Sequence, residues 1–218
     1  MIQSEIIVIG GSAAGLVAAS TAKSNYPDKK VTLFRKEEKV MIPCGIPYIF
    51  GTLESSNQNI LPDQGLLDLG VEIIVETVKN IDHANHIITT ITGETYQYEK
   101  CIIATGSKPV VPSFIPGTDL ENVFVVPKDK NYLDGLKGDL KNKKNVIVIG
   151  AGFIGVEMSD ELNKGGYNVT LIESRDNILG ATFSPEACQI AEDILVDHGL
   201  SIRTKTKVVE LLGDQTVR

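Results

Sequence analysis

The chain has 218 residues, of which 42% are hydrophobic and 22% are charged, and its formal net charge is -7. This length suits one large domain or two smaller ones, and the acidic balance argues against nucleic acid or a membrane surface as a partner. The three cysteines form no CxxC pair and lack metal-ligand spacing, so we expect no metal. No apolar run approaches the roughly 18 residues of a spanning helix, and no signal peptide is visible, so we expect a cytoplasmic protein.

The first predicted strand, Ile6 to Ile9, leads directly into the glycine-rich turn Gly10-Gly11-Ser12-Ala13-Ala14-Gly15 and then a predicted helix. Gly10 would form the tight turn, and Gly15 would let the helix pack closely on the strand. The N–H groups at the start of the helix would then face the phosphates of a nucleotide. This pattern predicts a dinucleotide-binding unit, with a purely structural strand-to-helix turn as the alternative.

The next predicted strand, residues 31–34, is not followed by the acid that usually binds the adenosine ribose, because Arg35 occupies that position. Glu37 and Glu38 follow within three residues. Two alternatives stay open: either Glu37 or Glu38 binds the ribose, or Arg35 stacks on the adenine or contacts a phosphate.

A lone cysteine, Cys44, lies in the apolar segment Pro43-Cys44-Gly45-Ile46-Pro47-Tyr48. We expect it near the first turn of a helix that runs through Ile49, where the helix N-terminus would stabilise a thiolate. A buried structural cysteine is the alternative. Because this segment lies between two nucleotide-binding patterns, we interpret Cys44 as a redox-active thiol.

Between Cys44 and the second pattern we predict a surface loop with a short helix over residues 52–65, a strand over residues 71–75, and an antiparallel meander. The meander is predicted to comprise residues 81–92, 95–98 and 101–104. The small residues Ala104-Thr105-Gly106 at the end of its last strand suit the close approach of a ligand. The proline-rich stretch from Pro109 to Gly117 then predicts a domain boundary.

The second pattern is a full GxGxxG, Gly150 to Gly155, between a predicted strand over residues 146–149 and a predicted helix. Glu173 follows the next predicted strand, 21 residues after Gly152. A carboxylate there would accept the ribose hydroxyls and repel a 2′-phosphate, which favours NADH, while the nearby Arg175 keeps NADPH open. Further on we predict a helix that begins at Ser184-Pro185, a strand over residues 208–212 and a hairpin turn at Gly213-Asp214.

The order of these motifs resembles the FAD-dependent pyridine nucleotide-disulfide oxidoreductases, and most of all their single-cysteine branch: coenzyme A disulfide reductases, NADH oxidases, NADH peroxidases and persulfide reductases. The resemblance implies an α/β fold with two Rossmann-like parallel-sheet units, each with a βαβ dinucleotide-binding motif, and an antiparallel meander in the first. It implies an FAD-binding domain over residues 1–112 and an NAD(P)H-binding domain over residues 113–218. Electrons would pass from NADH or NADPH through FAD to the catalytic Cys44, and on to a small disulfide, persulfide or polysulfide.

By the same resemblance, Phe153 matches an aromatic gate beside the flavin and Glu157 matches an acid that reaches toward that site. The candidate cofactor-binding residues are Gly10, Gly11, Ser12, Ala13, Ala14, Gly15, Arg35, Lys36, Pro43, Ala104, Thr105, Gly106, Gly150, Gly152, Phe153, Ile154, Gly155, Glu157 and Glu173.

The chain also departs from the family. Tyr48 stands where dithiol members carry a second cysteine, and Ala13 or Ala14 stands where oxidases and peroxidases carry a histidine. The basic and polar residues that hold coenzyme A are missing at Val17, Ser24, Val40 and Pro43. Family members also return to complete the FAD domain and add a dimer-forming domain, so we expect a fragment of a homodimeric enzyme. An NADH oxidase or peroxidase, or a catalytically incompetent nucleotide-binding fragment, is the alternative function.

Overall fold

The computed structural model describes residues 1–217, which divide into two compact units. The first unit comprises Met1–Pro43, Ile60–Lys108 and Lys128–Lys130, and the second comprises Cys44–Asn59, Pro109–Pro127 and the residues from Asn131 onward. Among the described residues, no helix has both the length and the apolar character needed to cross a bilayer.

The first unit contains a four-stranded parallel sheet in the order β4-β3-β2-β8. Its elements are β2 (Ile6–Ile9), β3 (Val31–Arg35), β4 (Glu72–Val75), β8 (Lys100–Ile103), helix α1 (Ala13–Asn25) and helix α2 (Gln64–Asp68). The alternation of side chains along β2 explains why all four of its residues are apolar. Ile6 and Val8 pack in one core cluster with Ala19 of α1, whereas Ile7 and Ile9 pack in a second cluster.

That second cluster joins the parallel sheet to a smaller sheet in the order β1-β7-β6-β5, and Phe34, Ile88 and Tyr96 are among its members. The strands are β1 (Ile2–Gln3), β5 (Val78–Asp82), β6 (Ile87–Thr90) and β7 (Thr95–Gln97). The predicted antiparallel meander is confirmed for β5, β6 and β7, with β1 added in parallel.

The last predicted meander strand, residues 101–104, is wrong as a member of this sheet. The corresponding strand β8 pairs in parallel with β2, from Ile6 opposite Lys100 to Ile9 opposite Ile103. The amides of Glu99 and Lys100 both donate to the carbonyl of Glu5 at 3.0 Å, which redirects the chain from one sheet to the other.

The second unit contains a three-stranded parallel sheet in the order β11-β10-β9. Its elements are α3 (Lys130–Leu140), β9 (Asn145–Ile149), α4 (Phe153–Lys164), β10 (Asn168–Ile172), α5 (Pro185–Asp197) and β11 (Ser201–Arg203). The predicted start of α5 is confirmed, because Ser184 caps it through a hydrogen bond from the amide of Ala187. Two Rossmann-like parallel sheets with strand-loop-helix motifs confirm the predicted fold class.

The strand predicted over residues 208–212 is wrong. In its place the amide of Leu211 donates to the carbonyl of Pro116 at 2.9 Å, so this segment is tied to the proline-rich connection and not to a neighbouring strand. Gly213 forms an isolated antiparallel bridge with Val217, so the turn at Gly213-Asp214 does not join two strands.

The helix predicted to run from Cys44 through Ile49 is also wrong. The chain forms two short 3₁₀ turns, Pro43–Gly45 and Pro47–Phe50. Pro47 lacks the N–H that a continuous helix would need there, and its ring would clash with the preceding turn. Cys44 therefore lies at no α-helix N-terminus, and the expected stabilisation of a thiolate by such a helix has no basis in the structure.

Candidate functional site

The first glycine-rich loop joins β2 to α1 in the first unit. Gly10 has a φ of +114°, and a Cβ there would lie 2.1 Å from the carbonyl oxygen of Ala104. A Cβ on Gly15 would lie 1.7 Å from the carbonyl oxygen of Gly10, so only glycine lets α1 pack this closely. Ala13 and Ala14 are exposed at the first turn of α1, which leaves the helix N-terminus open to a ligand.

The structure brings this loop together with Ala104, which follows β8, because the two parallel strands end at the same edge of the sheet. The amide of Ala104 donates to the carbonyl of Ile9 at 2.8 Å. Thr105 and Gly106 are exposed beyond it, and Gly106 has a φ of +68°. The predicted cofactor-binding residues 104–106 therefore lie beside the first glycine-rich loop, residues 10–15. Arg35 also contacts this loop, at Gly11.

Arg35 ends β3 and is only 6% exposed. Its guanidinium donates to both carboxylate oxygens of Asp63, at 2.5 and 2.7 Å, and to the carbonyl of Glu38 at 2.8 Å. Its side chain contacts the loop at Gly11, where a Cβ would lie 2.7 Å from the Cδ atom of Arg35. Lys36 is exposed and pairs with Glu37, which raises the pKa of the lysine.

Sequence reasoning missed Asp63. A buried arginine requires an acidic partner, and that requirement was the only available signal. Because Arg35 and Asp63 are 28 residues apart, the sequence does not show which acid is the partner of Arg35.

The second glycine-rich loop joins β9 to α4 in the second unit. Gly150 has a φ of +98°, and a Cβ on Gly155 would lie 1.8 Å from the carbonyl oxygen of Gly150, so the fold itself requires both glycines. Gly152 differs, because its φ is -77° and a Cβ there would meet nothing within 4 Å. The protein thus leaves space beside Gly152, as the approach of a pyrophosphate to the backbone requires. The residues of this loop fit a dinucleotide.

Glu173, the acid after β10, is fixed against the second loop. Its carboxylate accepts hydrogen bonds from the amides of Ala151 at 2.8 Å and Arg175 at 2.9 Å, and from the hydroxyl of Ser174 at 3.1 Å. Partial burial alone would raise the pKa of this carboxyl, but the hydrogen bonds outweigh it and lower the pKa. The predicted ribose acceptor therefore lies beside the loop as an ionised group.

We predict that Glu173→Gln lowers the free energy of unfolding by about 1 kcal/mol near pH 7, because hydrogen bonds to the charged carboxylate are lost. Because the folded-state pKa is depressed, this contribution is present above the unfolded-state pKa and disappears as pH falls through the folded-state value. Urea denaturation at pH 7 and pH 3 measures both effects. The exposed Glu210→Gln is the control, and an equal loss of stability at both pH values would contradict the prediction.

Phe153, Ile154 and Glu157 are exposed on the first turns of α4. The ring of Phe153 packs edge-on against Phe183, with centroids 5.8 Å apart. These side chains lie beside the second loop, as a nucleotide-binding role requires, and the roles of gate and acid stay predictions.

Cys44 is the exposed cysteine of the three. Cys188 is fully buried, and burial raises the pKa of the half-buried Cys101. The loop around Cys44 is well anchored: a Cβ on Gly45 would lie 1.9 Å from the side-chain oxygen of the buried Asn59. Pro43, at the start of the same 3₁₀ turn, is half-buried.

We predict that one thiol of the native chain reacts rapidly with a chromogenic aromatic disulfide and that Cys44→Ser removes this fast phase. The other two thiols are shielded, so they should react at least about tenfold more slowly until the chain unfolds. Stopped-flow absorbance measures both phases. A fast phase that persists in Cys44→Ser would contradict this assignment.

The segment after Cys44 is attached to α4, an arrangement that sequence reasoning also missed. Glu161 of α4 is 3% exposed and its carboxylate accepts a hydrogen bond from the amide of Thr52 at 2.8 Å. A Cβ on Gly51 would lie 2.1 Å from the carbonyl oxygen of Glu161, and Lys164 pairs with the same carboxylate. The cysteine segment and the helix that begins at the second loop therefore belong to one packed unit.

Comparison with known proteins agrees with these features. A family model described as pyridine nucleotide-disulphide oxidoreductase matches residues 4–218. An NADH oxidase of Enterococcus faecalis is 28% identical over 97% of this chain and 49% of its own length. A CoA-dependent NAD(P)H sulfur oxidoreductase of Pyrococcus furiosus is 31% identical over 100% of this chain and 50% of its own length.

Among solved structures, the NAD-dependent persulfide reductase from A. fulgidus superimposes with a TM-score of 0.85 at 25% identity, over 97% of this chain and 41% of that one. The chain thus spans about half the length of the curated relatives that it matches.

Proposed function

Because the chain belongs to the pyridine nucleotide-disulphide oxidoreductase family, we propose that it forms part of an enzyme that passes electrons from NAD(P)H through FAD to Cys44. The electrons would then reduce a small disulfide, persulfide or polysulfide. The observation that carries this proposal is the exposure of Cys44, while Cys101 is half-buried and Cys188 is buried. Cys44 alone is then accessible to a substrate sulfur.

FAD would bind at the first loop and NAD(P)H at the second. When bound, FAD supplies the chemistry that accepts a hydride and releases electrons to sulfur. The open N-terminus of α1 would hold the FAD pyrophosphate, and the space beside Gly152 would admit that of NAD(P)H. Glu173 would accept the ribose hydroxyls and disfavour a 2′-phosphate, which supports NADH over NADPH.

Cys44 would perform the sulfur chemistry in two steps. Its thiolate attacks one sulfur of the substrate disulfide, forming a mixed disulfide and releasing the first thiolate. Two electrons and one proton then break the mixed disulfide, which releases the second thiol and restores the Cys44 thiolate. The net reaction consumes one NADH, one proton and one disulfide, and yields NAD⁺ and two thiols.

A second candidate is an NADH oxidase, which the similarity to the Enterococcus faecalis protein supports. The residues at the start of α1 favour the first candidate, because Ala13 and Ala14 supply no proton donor there. The division into domains at residues 112 and 113, the homodimer and the cytoplasmic location stay predictions.

The test is NADH consumption by the FAD-loaded whole protein, followed anaerobically with cystine, coenzyme A disulfide or polysulfide as acceptor. We expect turnover with at least one sulfur acceptor, and production of thiol at two equivalents per NADH for a disulfide. Turnover with oxygen alone would support the oxidase instead, and the absence of bound flavin would contradict both.

A further inference from the structure

Arg35, paired with Asp63, occupies the position where nucleotide-binding units normally have an acid. Position 35 ends β3, where an acid ordinarily holds the adenosine ribose. The Arg35 side chain is 5% exposed and that of Asp63 is 35% exposed. A buried arginine without an acidic partner is strongly destabilising, so Asp63 allows the unusual residue to occupy this position.

The pair lies beside the first glycine-rich loop. A Cβ on Gly11 would lie 2.7 Å from the Cδ atom of Arg35 and 2.8 Å from its Cβ atom, so the aliphatic part of the arginine packs against the loop. The guanidinium extends from there to the carboxylate of Asp63. A carboxylate is thereby placed near the end of β3, as one half of an ion pair with Arg35.

Within the pair, Asp63 is the group with spare hydrogen-bonding capacity. A carboxylate offers about four acceptor sites, and Arg35 uses two of them. Arg35 is committed to Asp63 and to the carbonyl of Glu38, which leaves its charge neutralised and unsuited to a phosphate. Its Nε atom is, among the described residues, the one buried side-chain nitrogen or oxygen without a hydrogen-bond partner.

Asp63 is held in place by its surroundings. The amide of Leu61 donates to the carbonyl of Val40 at 2.8 Å, and Met41 pairs with Ile60 in an antiparallel bridge. On its other side, the carbonyl of Asp63 accepts from the amide of Leu66, a buried core residue. The side chain does not cap α2, so its oxygens remain directed to other partners.

We propose that Asp63, held by Arg35, binds the adenosine ribose of the dinucleotide at the first loop, in place of the acid that is missing after β3. This inference rests on the proposed function, because it takes FAD as the occupant of that loop. Arg35 is then a positioning residue, and Asp63 accepts a hydrogen bond from the ribose hydroxyls.

The test compares FAD with an FAD analogue that lacks the adenosine 2′-hydroxyl, with NAD⁺ present to occupy the second loop. Quenching of flavin fluorescence gives both dissociation constants, independently of turnover. We expect the unaltered protein to bind the analogue about tenfold to a hundredfold more weakly, as the loss of a hydrogen bond to a charged group implies. Asp63→Asn should weaken FAD binding and reduce this preference to less than about threefold.

Asp68→Asn, at the last residue of the helix α2 that follows Asp63, is the matched control, because Asp68 contacts Gln64 and not Arg35. It should retain the affinity and the preference. The double variant Arg35→Glu with Asp63→Asn returns the acid to the strand end and should regain the preference, which tests the proposal if Asp63→Asn alone folds poorly.

Equal binding of FAD and its analogue by the unaltered protein, or a full preference in Asp63→Asn, would overturn the inference and leave the proposed function intact. Failure of the unaltered protein to bind FAD at all would overturn both. Tighter binding of an FAD analogue that carries a 2′-phosphate would show that Arg35 leaves Asp63 to bind phosphate, which also overturns the inference.

Discussion

Replacing Gly152 with valine is expected to weaken NADH binding at least about tenfold while it changes the free energy of unfolding by no more than about 1 kcal/mol. The backbone at Gly152 is extended, with φ -77° and ψ -175°, which valine adopts without strain. A Cβ there meets no protein atom within 4 Å. The added side chain would therefore occupy space that the pyrophosphate needs and would leave the packing of α4 unchanged. Calorimetric titration with NADH and urea denaturation measure the two quantities.

The matched variant is Gly155→Val in the same loop. Its Cβ would lie 1.8 Å from the carbonyl oxygen of Gly150, so α4 would have to move away from the sheet. We expect a loss of about 3 kcal/mol or more in stability, because overpacking at a backbone contact cannot relax. If Gly152→Val bound NADH normally, the space beside the second loop would not be a nucleotide site.

Replacing Cys44 with serine is expected to reduce NADH-driven reduction of disulfide or persulfide at least about a thousandfold in the FAD-loaded whole protein. A serine hydroxyl neither attacks a disulfide at neutral pH nor forms a mixed disulfide, so the sulfur step is lost. Electron transfer from NADH to an artificial acceptor such as ferricyanide should stay within about twofold, because it bypasses the cysteine. Steady-state rates with the two acceptors separate these steps.

Cys101→Ala is the control for this variant, since Cys101 is half-buried on β8 and has no proposed part in the chemistry. It should retain both activities. Sulfur reduction that survives in Cys44→Ser would mean that the exposed cysteine is not the redox centre.

The glycine-rich loops and the strands around them could be predicted because their signals are local. An apolar strand, a tight turn that needs positive φ at Gly10 and Gly150, and a following helix all appear within about 15 consecutive residues. The position of Glu173 beside the second loop follows from the same local unit.

The other features depend on contacts between distant residues, which local patterns do not encode. The pairing of Arg35 with Asp63 and of Glu161 with Thr52 involves separations of 28 and 109 residues. Strand β8 joins the parallel sheet, and not the predicted meander, because of hydrogen bonds to Glu5. The prediction of a helix at Cys44 was wrong for a local reason that is visible in the sequence, because Pro47 interrupts such a helix.

Counting the NADH needed to reduce the FAD-loaded whole protein, anaerobically and after treatment with a small disulfide, tests the central claim most directly. If Cys44 carries the substrate sulfur, the unaltered protein should consume two equivalents of NADH per FAD, one for the mixed disulfide and one for the flavin, with release of one thiol. Cys44→Ser should consume one equivalent and release none. Equal consumption by the two proteins would contradict the account.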